Sequence, residues 1–244
     1  KNILIYLVND KRLTANNYLL LIHQKMTGHL LYGKWKIKKV VGYKSLVASL
    51  INGPLREKVN DYIHLIFYFD NGWQMALSDL RKFAKVLFGQ KEEIENLADL
   101  KKLGPEPFDK NLTVSKFKNL ISQEKRKIKQ VLMDQEVVVG IGNIYSDEIL
   151  WQVKIHPFIP ASKLTDNQLK DIYLAMRQIL KKAIKLRGTS ISDFRDTSGK
   201  SGAYADIIKV YAREGEKCQR CQTLIKRIKI GGRSAHYCSY CQKI

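Results

Sequence analysis

Cys218-Gln219-Arg220-Cys221 and Cys238-Ser239-Tyr240-Cys241 decide the reading of this chain: two Cys-x-x-Cys pairs, sixteen residues apart, that hold all of its cysteines. The spacing is that of a zinc site. Each pair reaches one ion from a tight knuckle. Thr223 to Tyr237 reads as strand, Gly231-Gly232 turn, strand, so a hairpin returns the second pair to the first. A disulfide framework is the competing reading. No signal-like apolar segment accompanies it, however, and a 27-residue tail has too little core to fold without a staple. Four thiolates leave the ion no open coordination position, so one structural Zn2+ is expected. What the ribbon presents is charge: Lys226, Arg227 and Lys229 stud one strand and Arg233 follows the turn.

The whole chain shares that bias. Lys and Arg number 43 against 23 Asp and Glu, a net charge of +20, which points to a polyanion as partner. A membrane surface is the competitor, but no apolar run approaches the roughly 18 residues of a spanning helix and no lipidation signal is present. The length of 244 residues with 45% hydrophobic content allows one large domain or two modest ones. Reduced, metal-bound cysteines point to the cytoplasm.

Along the chain the fold class reads as α+β with several domains. Residues 1–88 are strand-rich: Ile3 to Val8, Asn17 to His23, His29 to Gly33, Tyr62 to Phe69, then an Asn71-Gly72 turn into Gln74 to Leu80, together an antiparallel β-sandwich. Residues 89–112 carry charge and then Leu103-Gly104-Pro105-Glu106-Pro107, whose prolines suit a linker. Residues 113–212 are helical in period, and 213–244 form the zinc-ribbon hairpin. The clearest helix opens at Thr165 with Gln168 three residues on, a capping box. It repeats Leu169, Ile172, Tyr173, Met176, Leu180, Ala183 and Ile184 before Gly188. That stripe reads as core.

A second motif is Val137-Val138-Val139-Gly140-Ile141-Gly142-Asn143-Ile144-Tyr145. A dinucleotide-binding turn fails here, because Tyr145 occupies the third glycine position and Ile128 to Asp134 reads as helix rather than strand. What remains is helix, two glycine-rich turns, helix. The second helix, Ile144 to Val153, starts with free amides that suit a phosphate; a purely structural turn is the alternative.

These motifs together resemble the formamidopyrimidine-DNA glycosylase family, which includes endonuclease VIII. The matching stretches are His23-Gln24-Lys25-Met26-Thr27-Gly28, Asp79-Leu80-Arg81-Lys82-Phe83, Leu103 to Pro107, Gly140 to Tyr145, Gly199-Lys200-Ser201-Gly202, and the ribbon with Gly232-Arg233. The resemblance implies an N-terminal sandwich, a helix-two-turn-helix domain and a zinc finger that clamp duplex DNA with an oxidised or abasic lesion. It implies base-excision repair: removal of oxidised bases of the 8-oxoguanine and formamidopyrimidine type, with abasic-site lyase activity through a Schiff base. A pyrimidine-specific glycosylase and a non-catalytic damaged-DNA binder are the alternatives. A monomer at the bacterial nucleoid is expected.

By the same resemblance Lys1, His23, Asn143 and Arg233 grip phosphates, and Lys1 and Arg233 assist proton transfer during strand cleavage. Met26, Arg81 and Phe83 enter the duplex, and Gly199, Lys200, Gly202 and Tyr204 belong to the loop that covers the extruded base. Lys125 and Lys129 are candidates for further phosphate contacts. From the residues alone, His23 reads as a satisfied strand-end histidine, Met26 and Phe83 as core, and Lys125 and Lys129 as a solvated charge run. The family begins with a proline nucleophile and a glutamate, and this sequence begins at Lys1. The expectation is therefore an N-terminally incomplete chain that binds DNA without excising a base. Asn60 and Tyr62 stand where relatives commonly have histidines, and Ala84 and Ala212 where glycines are usual.

Overall fold

Strand β2 (Tyr18–His23) is an apolar run without alternation because both of its faces are covered. In the computed structural model, which describes residues 2–7, 17–41, 44–191 and 193–244, and the side chains of these except 38–41 and 44–46, β2 lies between β1 (Asn2–Leu7) and β8 (Lys85–Gln90) in an antiparallel sheet. A second sheet sets β7 (Gln74–Ser78) between β3 (His29–Gly33) and β6 (Ile63–Tyr68). Leu20 and Ile22 of the first sheet meet Leu30 and Leu77 of the second, with Ile3, Val86, Phe67 and Met75 at the margin. Two sheets sharing one core make a sandwich. The far face of the second sheet buries Leu31 and Ala76 with Trp35, Leu55 and Val47, under a hairpin of β4 (Trp35–Val41) and β5 (Lys44–Ser49).

Periodicity did not reveal the β4–β5 hairpin or β8. Trp35-Lys36-Ile37-Lys38 alternates as a strand does, but the alternation breaks at Lys39, where the pairing register also shifts, and β8 runs straight into a charged stretch. That stretch contains α1 (Lys91–Glu95) and α2 (Ala98–Lys101). Glu92 and Glu93 sit in the first turn of α1, where carboxylates favour a helix start. Leu103 to Pro107 holds no helix or strand.

The chain divides into two compact units, the first running to Leu97 and taking in Leu186–Ala205, the second made of Ala98–Lys185 and Asp206–Ile244. The 199–204 loop thus groups with the strands, not with the helices that precede it. The second unit packs α3 (Val114–Ser122), α4 (Ile128–Met133), α5 (Asn143–Gln152) and α6 (Asp166–Lys185). At the start of α6 the Thr165 amide donates to Gln168 Oε1 (2.9 Å) and the Gln168 amide to Thr165 Oγ1 (3.3 Å), a reciprocal capping box. Its stripe from Leu169 to Ala183 is buried, while Ile184 is exposed. Helix α5 buries every residue from Ser146 to Trp151, so it is enclosed on all sides. Strands β9 (Ile225–Ile230) and β10 (Arg233–Cys238) form the ribbon, closed by Gly231 and Gly232 at φ +53° and +76°. Two successive positive φ angles are what a tight two-residue hairpin turn requires. No helix among the described residues is long and apolar enough to cross a membrane.

Candidate nucleic-acid interface and metal centre

In the first unit, two turns at the ends of neighbouring strands carry the expected duplex-inserting residues. Met26 lies between β2 and β3 and is 62% exposed; Phe83 lies between β7 and β8 and is 60% exposed. Arg81 is exposed beside it, its guanidinium 5.3 Å from the Phe83 ring centroid. The first turn is closed by the Gly28 amide donating to the Gln24 carbonyl (3.0 Å), and a methyl on Gly28 would lie 2.5 Å from that oxygen, so only glycine fits. The second turn is organised by buried Asp79, whose carboxylate accepts the amides of Arg81 (3.3 Å) and Ala84 (2.8 Å). Thr27 Oγ1 donates to the same carboxylate, tying the two turns together. Burial alone would raise Asp79, but Thr27 and the amides of Ala84, Arg81 and Phe83 outweigh it and hold the carboxyl below its ordinary value. His23 ends β2, half-buried, opposite Asn2 and Lys85.

The glycine-rich loop of this unit is also built from within. Asp196 Oδ1 accepts the amides of Ser198 and Lys200 (both 2.9 Å), and the Tyr32 amide of β3 donates to the Thr197 carbonyl (2.7 Å). Gly199, Gly202 and Tyr204 are buried, and Lys200 is exposed.

In the second unit Asn143 is the first residue of α5, half-buried, and its Oδ1 is buried without a partner among the described residues. Arg233 opens β10 and is exposed, as is Lys125. The ribbon turn reaches α4: a methyl on Gly231 would lie 2.7 Å from Gln130 Nε2. The expectation that Lys129 touches phosphate is corrected here. Its side chain is 0% exposed, because it lies on the inner face of α4 with Ile128 and Leu132. Its ammonium donates to Asp147 Oδ1, to the Asn143 carbonyl (3.4 Å) and to Ser146 Oγ (3.3 Å). Burial holds Lys129 below the ordinary lysine value, and Asp147 recovers part of that shift. Lys1 lies outside the described residues.

Sequence reading missed what holds these anchors. The other oxygen of Asp147 accepts the backbone amide of His236 (2.9 Å) and meets its Nδ1 (3.1 Å). One turn of α5 beyond Asn143 is thereby joined to β10 three residues beyond Arg233. Glu148 accepts the amides of Lys209 (2.9 Å), Val210 (2.9 Å) and Tyr211 (3.1 Å). The available signal was a pair of acids, Asp147-Glu148, inside an otherwise buried helix, since buried carboxylates require partners.

The four cysteines converge, with all Sγ atoms within 4.8 Å of one another and Cys221 to Cys238 at 3.4 Å. Tetrahedral zinc with bonds of about 2.3 Å wants sulfurs roughly 3.8 Å apart, so the donors fit, and the ribbon holds one structural zinc. The charges agree with that fit. Thr223 pulls the Cys221 thiol down to about 6, whereas burial and neighbouring thiols push Cys241 up to about 12. Four sulfurs this close cannot all ionise without a cation among them. The buried Trp151 indole N–H has no hydrogen-bond partner among the described residues; the ring packs with Cys218, and Arg220 covers it at 3.7 Å.

Two sequence profiles match the chain: the formamidopyrimidine-DNA glycosylase H2TH domain over residues 103–195 and the zinc finger found in FPG and IleRS over 215–244. The formamidopyrimidine-DNA glycosylase of Desulforamulus reducens is 38% identical over 92% of this chain and 74% of its own length. That of Listeria innocua is 37% identical over 77% and 68%. The solved Lactococcus lactis Fpg in complex with abasic-site DNA superposes with a TM-score of 0.76 at 32% identity, covering 93% of this chain and 76% of that one. The ribbon cysteines, the helix start at Asn143 and the two turns on Asp79 thus all fall within a span that similarity covers almost completely, and the chain belongs to the formamidopyrimidine-DNA glycosylase family.

Proposed function

We propose that this chain supplies the lesion-reading DNA grip of a glycosylase that removes oxidised bases from duplex DNA and opens the abasic strand, with Met26, Arg81 and Phe83 entering the duplex at the lesion. The observation that carries this reading is the pair of turns on Asp79. They hold a thioether and a phenyl ring, each about three-fifths exposed, on a chain of net charge +20. Apolar side chains displayed on a fixed turn of so basic a protein suit a duplex from which a base has left. Met26 and Phe83 fill the gap, and the Arg81 guanidinium donates to the orphaned partner base. Asn143, Arg233, His23 and Lys125 have the role of phosphate contacts, which set register and carry no sequence information. Asn143 does so from the first position of α5, where a helix start suits an anion. Lys200, exposed on the 196–204 loop, faces the extruded nucleotide. The Lactococcus lactis relatives were solved with abasic-site DNA and with Fapy-dG DNA, which supports this substrate class. The bacterial relatives support a place at the chromosome, where the chain acts as a monomer.

Arg81→Ala is expected to weaken binding to an abasic-site duplex about 10- to 100-fold while leaving intact duplex nearly unchanged, because one base contact of 1–3 kcal/mol is lost. Arg233→Ala should weaken both and reduce the salt slope of log K by about 1. Equal losses on both duplexes for Arg81→Ala would exclude an inserting role.

A further inference from the structure

A line of buried polar groups runs through the first unit from the probing turns to Asn60, against which the glycine-rich loop packs. It starts at Asp79, which holds Arg81, Ala84 and Thr27. The Thr27 carbonyl lies 3.2 Å from His29 Nδ1, and His29 Nε2 lies 2.9 Å from Asn60 Oδ1. Asn60 is fixed in turn, because its Nδ2 donates to the Pro54 carbonyl (2.8 Å), which leaves Oδ1 to the histidine; as the Thr27 carbonyl and Asn60 Oδ1 both accept, one imidazole N–H bonds one of them and the ring packs against the other. On Asn60 sits the loop: a methyl on Gly199 would lie 3.0 Å from Asn60 Nδ2 and 3.0 Å from the Leu55 amide nitrogen. His29, Asn60 and Asp79 are at most 2% exposed. The strand that begins with His29 also anchors the loop at its far end, through the Tyr32 amide on the Thr197 carbonyl.

Buried polar groups packed in line resist independent movement of their ends, since parting a bonded pair leaves a desolvated donor or acceptor. We propose that His29 is a positioning residue that locks the Met26 and Arg81–Phe83 turns to the 196–200 loop through Asn60, so that the seating of the probes in a lesion gap sets the position of the loop. This rests on the reading of Met26, Arg81 and Phe83 as duplex-inserting. A link of this kind makes damage detection and base enclosure one event.

The test is hydrogen exchange of the whole chain, free and with duplex. In the free protein, Asn60→Ala should speed exchange at the Arg81 and Ala84 amides by about tenfold in the His29 background, and by no more than twofold in His29→Phe, which keeps the ring volume and removes both contacts. With abasic-site duplex, slowing of the 196–200 loop relative to intact duplex should be lost in His29→Phe, although the 79–84 turn is still slowed. His29→Gln, which retains one hydrogen bond, should give intermediate values and serves if His29→Phe does not fold. Equal Asn60→Ala effects in both backgrounds overturn the proposal. If abasic duplex slows neither segment in the unaltered chain, the functional reading fails, and the free-protein arm alone decides the His29 link.

Discussion

Asp147→Asn is the perturbation that best probes the second unit. The carboxylate is 1% exposed and serves three groups: the Lys129 ammonium, the His236 amide at 2.9 Å and the His236 ring at 3.1 Å. An asparagine keeps the volume but has one acceptor oxygen for three donors, and it turns an N–H group toward at least one of them. Lys129, itself 0% exposed, then becomes a buried ammonium whose remaining acceptors are the Asn143 carbonyl and Ser146 Oγ. Breaking a buried pair from one side costs about 3–5 kcal/mol, a large share of the 5–15 kcal/mol that holds a typical domain together. At roughly 4 °C per kcal/mol for a unit of this size, the melting transition should fall by about 12–20 °C. Lys129→Met should cost less, because the carboxylate it leaves behind keeps both of its His236 contacts. Adding Lys129→Met to Asp147→Asn should therefore recover part of the loss. The assay is thermal unfolding of the zinc-loaded chain by circular dichroism, with duplex binding measured alongside. A loss below about 1 kcal/mol for Asp147→Asn, or no recovery in the double variant, would refute Asp147 as the buried group that ties α4 and the ribbon to α5.

Asp79 gives a pH dependence of definite sign. Its folded value lies below the ordinary one of about 3.9, so the stability it contributes is complete above that value and is lost as pH falls through the lowered one. Unfolding midpoints between about pH 5 and pH 2 should therefore fall more steeply in the parent chain than in Asp79→Asn, and parallel curves would contradict the assignment. Ala212 stands at φ +56°, in the left-handed region that costs a residue with a Cβ about 1–2 kcal/mol. Ala212→Gly should raise stability by up to about 1 kcal/mol in denaturant titration, the entropy of glycine offsetting the remainder.

Much of the fold was legible because the signals were local. The capping box at Thr165 and Gln168, the Gly231-Gly232 turn and the paired cysteines each involve residues close in sequence whose chemistry admits one geometry. The misses are residues whose partners lie far away. Lys129 belongs to a basic run that reads as solvated, and only the helical phase of α4, together with an acid eighteen residues on, brings it inside. His29 and Asn60 are 31 residues apart, and neither has a neighbour that announces the contact. The β4–β5 hairpin is hidden by the break in alternation at Lys39. At the probing turns the failure has another cause: Met26 and Phe83 look like core because they are apolar, and their exposure breaks the rule that hydrophobic pattern reading depends on.

The ribbon takes part of its interior from α5, which defines what the finger asks of any host. Its interior is made of Cys218, Ile225 and Cys238 together with Val210 and Trp151, and the last of these comes from a helix more than sixty residues earlier in the sequence. Cut at Gly215 and grafted onto another protein, the finger would keep its ligands and its hairpin but lose the indole packed with Cys218. A transplant would need another group in that place, and a finger type found in two kinds of protein, here over residues 215–244, is one whose hosts supply it differently.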